Sequence, residues 1–145
     1  MNAVVSITDK NPDYRFDLST LLVALDERWP EARIRTADAS SRSTAYRWTI
    51  PMPNSRGKQI DGFVNRGKTF IGISGEVDDC AGFISWFRSF IPDNIELALG
   101  DDQHGGTIVV DASISSEQIK RFENSVDSPF EPPTGPKMAA SERSK

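Results

Sequence analysis

EVDDCAGFISWFRSFIP, residues Glu76 to Pro92, is the segment around which the rest of the chain has to be arranged. Its apolar residues Cys80, Phe83, Ile84, Phe87, Phe90 and Ile91 recur at the i, i+3, i+4 and i+7 spacing that gathers them on one stripe of an α-helix. Asp78 and Asp79 fall in the predicted first turn, where exposed N–H groups favour negative charge, and Arg88 falls near the end, where a cation is favoured. Pro92 stops the helix. Burying one large apolar side chain contributes about 1.5–3 kcal/mol, so a stripe of three phenylalanines and two isoleucines requires a cover.

The flanking segments supply it. Upstream, Tyr46, Trp48, Ile50 and Met52 alternate with Arg47, Thr49 and Pro51, the two-residue period of a half-buried strand. Strands over Lys58–Asn65 and Thr69–Ser74 follow, joined by the turn Asn65-Arg66-Gly67-Lys68, and a short one is expected around Ile34. Downstream, Ile95, Leu97 and Leu99 alternate with Glu96 and Ala98, and a second strand spans Thr107–Asp111 beyond the glycine-rich acidic loop Gly100–Gly106.

Asp17 is a predicted N-cap for a helix carrying Leu18, Leu21, Leu22, Leu25 and Trp29, which Pro30 ends, with Phe16 and Leu21 placed to form a staple. Ser115 and Gln118 have capping-box spacing before a last helix with Ile119, Phe122 and Val126. Residues 1–15 begin with the apolar patch Ala3, Val4, Val5 and Ile7, a strand or arm leading into a loop. The expected fold is α+β: a mainly antiparallel sheet, a meander of about four strands plus a hairpin, packed on a central amphipathic helix, with N- and C-terminal helices. Residues 1–126 read as one domain, and 127–145, rich in proline and serine and without periodicity, read as a flexible tail.

Hydrophobic residues at 37% and charged residues at 26% are the balance of an ordinary globular domain rather than a disordered chain. No apolar run is long enough for a membrane span, and the N-terminus lacks the pattern of a secretory signal, so a cytoplasmic location is expected. The single cysteine fits that compartment. The net charge of −4 is unevenly spread. Residues 1–72 hold eleven Lys/Arg against eight Asp/Glu, whereas 73–145 hold six against thirteen. An acidic chain is a poor general ligand for nucleic acid, whose affinity for proteins comes from cations neutralising phosphates. A protein partner with a basic surface is the better match, although acidity also serves solubility alone.

The residues able to carry chemistry are few. His104 lies near Asp101 and Asp102, a set that could serve as a metal site or general base but equally suits a hairpin turn. Cys80 sits on the apolar stripe, which argues for burial rather than nucleophilic use. Glu76, Asp78 and Asp79, and again Asp101, Asp102 and Asp111, would need the fold to gather them before they could hold a cation, and no metal or cofactor is expected. Gly62, Gly67, Gly72 and Gly75 lack the strand–GxGxxG–helix order of a dinucleotide site and read as turns and strand irregularities. Trp86 lies beside the phenylalanine stripe, placed as a margin of the core or an interface anchor.

The strand segments before Glu76, the helix FISWFRSFIP and the following IELALGDD, together covering roughly residues 45–111, resemble small bacterial immunity-like proteins encoded beside secreted toxins. The resemblance implies a non-catalytic protein that inactivates a cognate toxin by occluding its active site. On that expectation the partner surface includes Asp78, Asp79, Trp86, Glu96, Asp101, Asp102 and His104, facing a basic toxin or effector. An acidic secretion chaperone, a dimer wrapping an effector segment, is the alternative, since its element order is similar. A small enzyme comes third, because no set of nucleophile, base and orienting group stands out.

Overall fold

The structure, a computed structural model, describes residues 1–38, 40–52, 58–101 and 106–127, with side chains described as far as Glu123. Seven strands and three helices alternate along it: β1 (Asn2–Ile7), α1 (Leu18–Arg28), β2 (Arg33–Thr36), β3 (Thr44–Met52), β4 (Lys58–Asn65), β5 (Phe70–Ser74), α2 (Val77–Phe90), β6 (Leu97–Asp101), β7 (Thr107–Val110) and α3 (Ser116–Asp127). The strands form one sheet in the order β2-β3-β4-β5-β1-β6-β7, and every neighbouring pair is antiparallel.

The α+β class is as expected, and the arrangement within it differs. The N-terminal patch is an inner strand: β1 lies between β5 and β6, joining what read as a meander and a separate hairpin into one continuous sheet. Its alternation explains why, since Ala3 and Val5 are buried on one face while Asn2 and Val4 turn to the other. The first helix is therefore not an N-terminal element. Strand β6 starts at Leu97 rather than Ile95, because the Ile95 N–H turns back to the Pro92 carbonyl, and it runs on through Gly100 and Asp101. The expected tail lies outside the described residues beyond Asp127.

Helix α2 buries most of the expected stripe, with Cys80, Phe83, Ile84, Phe87 and the capping Ile91 removed from solvent along with Ala81, while Phe90 is half-buried at the edge of the core. Facing them are the inward residues of the sheet, Trp48 and Ile50 on β3, Ile60 and Val64 on β4, Ile71 and Ile73 on β5, Leu97 and Leu99 on β6. Helix α1 docks through Phe16, Leu21 and Leu25. Asp17 caps it by accepting from the Thr20 N–H and hydroxyl, which holds the Asp17 carboxyl below the usual carboxylate range. Helix α3 packs against α2 through the buried Ile119, and its reciprocal Ser115–Gln118 bonds form the expected capping box.

Aromatic side chains run continuously through this layer. Phe16 meets Phe87 at 5.3 Å and Phe83 stacks between Trp29 and Trp48 at 5.3 and 6.0 Å, while Trp86 packs edge-on to Trp29 at 5.0 Å. Beyond the end of α2 the Arg88 guanidinium, only 2% exposed, donates to the carbonyls of Ile91, Pro92, Asp93 and Ile95. A single buried cation thus ties down the whole α2–β6 connection.

Candidate functional site

All three helices cover one face of the sheet, and among the described residues nothing covers the other. Strand pleating decides what that open face carries, because residues directly opposite across each ladder share a face. One transverse row runs Arg35, Arg47, Phe63, Gly72, Val4 and Gly100 through successive register pairs from β2 to β6. The adjacent row is Arg33, Thr49, Asp61, Ser74 and Asn2. On the far side, Phe70, Ser6, Ala98 and Val109 continue the apolar half, with Val109 51% exposed.

The face is polarised along the strand order. Phe63 and Phe70 meet edge-to-face at 6.1 Å, and Phe63 lies over Gly72, where a Cβ would stand 2.6 Å from its Cζ. This leaves a shallow concavity of about 280 Å³ bordered by Val4, Arg47, Asp61, Phe63, Gly72 and Ser74. Beside it lies a more polar hollow of about 330 Å³ between Arg33, Arg35, Thr49, Pro51 and Gln59. Arg33, Arg35 and Arg47 are exposed, and among the described residues none has a carboxylate within ion-pair distance. Asp61, the acidic residue of these two rows, is held by the Thr49 hydroxyl at 3.0 Å and the Gln59 amide at 3.1 Å.

The residues expected at a partner surface are dispersed. Asp78, at the start of α2, is exposed and pairs with Lys120 at 3.3 Å; Glu117 holds the same ammonium at 3.0 Å, and these two contacts raise the Lys120 pKa. Asp79 is half-buried, with its Oδ2 enclosed. Trp86 is half-buried between Trp29, Phe83 and Phe90, the place of a core margin. Glu96 accepts from the Thr8 hydroxyl at 2.8 Å and pairs with Lys10 at 3.3 Å, and both contacts lower its pKa, Thr8 most.

Asp101 corrects the expectation of an exposed loop carboxylate. It is the last residue of β6, turned to the same side as Leu97 and Leu99, and is 5% exposed. Asp102 and His104 lie outside the described residues. Cys80 is buried, and burial pushes its thiol up to about 12, beyond the range of a nucleophile at neutral pH. Among the described residues no group of three or more His, Cys, Asp or Glu side chains is placed to hold a metal ion, and no helix is long and apolar enough to cross a membrane.

No protein-family model matches the chain, and no curated protein or solved structure matches it.

The open face was within reach of the alternation pattern. Ile60, Gly62 and Val64 point inward on β4, which forces Phe63 outward, and an outward aromatic in mid-strand is the cue. The assignment of Arg33 and Arg35 to the same face depends on the β2–β3 register, which four residues of β2 carry too little pattern to set.

Proposed function

We propose that this chain is a non-catalytic protein-binding module, in its specific form an immunity protein that binds and neutralises a bacterial toxin. The observation that supports the reading is the open sheet face: a seven-stranded platform, backed by a packed aromatic layer, that presents two phenylalanines, a valine and three exposed arginines with no carboxylate partner among the described residues. Aromatic and arginine side chains on a rigid support are what protein interfaces favour at their centres. A preorganised face also loses little conformational entropy when it docks.

The test is isolation of the tagged chain from its native cell. A partner that co-elutes at fixed stoichiometry, is harmful when produced alone and is harmless beside this chain is the expected result. A chain that elutes alone, or one that turns over a small molecule, overturns the reading.

A further inference from the structure

We infer that the open face docks an acidic protein segment that carries a large apolar side chain, the apolar group seating against the Phe63 ring in the concavity it borders with Val4 and Ser74 and the carboxylates meeting Arg35 and Arg47. The inference rests on the protein-binding reading and adds the surface and the partner's chemistry. Charge complementarity fixes the occupant. The chain has a net charge of −4, yet the two rows that cross β2 to β1 carry three arginines and one aspartate.

The arginines are exposed and without carboxylate partners among the described residues, whereas Asp61 is already held by Thr49 and Gln59. Cations are thus available on this face and the local anion is engaged. On the helical side, by contrast, the cation Lys120 is already paired, with Asp78 and Glu117, and Glu96 is held by Thr8 and Lys10. Arg47 borders the apolar concavity, and Arg33 and Arg35 border the polar hollow next to it, so one extended segment crossing β3 would meet both. Guanidinium groups pair carboxylates in bidentate fashion, which gives the site direction as well as attraction. Three cations on an acidic chain are too few for a nucleic-acid surface, where affinity scales with the number of phosphates neutralised.

The experiment selects binders to the intact chain from a display library of random short peptides. Expected are enriched peptides with net negative charge and an aromatic or large aliphatic residue, whose affinity falls with added salt. Their binding should weaken about tenfold or more in Arg35→Glu/Arg47→Glu and in Phe63→Ala, and stay unchanged in Asp78→Lys/Glu117→Lys. Thermal melts of each variant confirm folding, and the salt dependence of the unmodified chain needs no variant. Basic peptides, or binding lost only in Asp78→Lys/Glu117→Lys, would overturn the acidic docking site and leave the protein-binding reading standing. No enrichment would overturn the acidic docking site alone, whereas a mixed-sequence single-stranded oligonucleotide bound more tightly than any peptide and dependent on Arg47 would overturn both.

Discussion

The indole of Trp48 occupies the space that a side chain at Gly62, its register partner on the next strand, would need. A Cβ placed there would stand 2.5 Å from the Trp48 Cε2, and the ring is fixed because Trp48 is also stacked on Phe83 beneath α2. The pair therefore sets how closely β3 and β4 lie beneath the central helix. Gly62→Ala is expected to destabilise the fold by about 1–3 kcal/mol through overpacking. Phe63 and Gly72 repeat the relationship on the open face, but Phe63 is half-buried and its ring has solvent to swing into. Gly72→Ala should cost under about 1 kcal/mol, as expected of a site that can relax. Urea unfolding of the two variants checks the ordering, and equal losses would contradict it.

Arg88 gives the second prediction. Its guanidinium binds four carbonyls between residues 91 and 95, and a hydrogen bond to a charged group is worth more than a neutral one. Arg88→Met keeps the stem and removes every donor, for an expected loss of about 2–4 kcal/mol. Arg88→Lys should recover little, because a compact ammonium cannot span the fork that reaches both Ile91 and Ile95. Amide hydrogen exchange should accelerate first over residues 91–97. A lysine variant as stable as the parent would show that charge near the helix end, rather than the fork, is what matters.

These two sites show what could be read before the fold was known. The helical stripe from Cys80 to Ile91, the Asp17 cap and the Ser115–Gln118 box are local patterns, and each forms where its spacing placed it. Gly62 and Gly72 read as turns or irregularities because their reason is across the ladder: only the β3–β4 and β4–β5 registers reveal the rings above them. Arg88 read as a dipole partner, and its burial depends on the path of residues 91–95. Asp101 read as loop because glycine precedes it, although the two-residue period from Leu97 already placed it on the buried face.

The Cys80 thiol should be inert in the native state. Burial raises its pKa from 9.0 to about 12, with neighbouring carboxylates contributing in the same direction. A group whose folded pKa is raised contributes stability that is complete below the unfolded value and is lost as pH rises. From about pH 9 towards 12 the unfolded chain ionises its thiol while the folded chain resists, so stability should fall across that window. Cys80→Ala should remove this part of the pH dependence. Labelling with a thiol reagent at pH 8 should be slow in buffer and complete in urea; rapid native labelling would contradict the burial.

Thr8 and Glu96 link the end of β1 to the approach of β6 through a 2.8 Å hydroxyl–carboxylate bond, with Lys10 at 3.3 Å from the other oxygen. The bond is stronger to the ionised carboxylate, and so it holds the Glu96 pKa below the ordinary 4.5. For an acid with a lowered folded pKa the contribution to stability is present above the unfolded value and disappears as pH falls through the folded one. Acidification below the ordinary carboxylate range should therefore loosen this corner while the core stays packed. Since Thr8 is the largest cause, Thr8→Val should move the Glu96 titration, followed by side-chain NMR, back towards 4.5, and Lys10→Ala should move it less. The reverse order would mean that charge rather than the hydrogen bond sets the shift, and added salt, which screens exposed ion pairs, would then reproduce the Lys10→Ala effect.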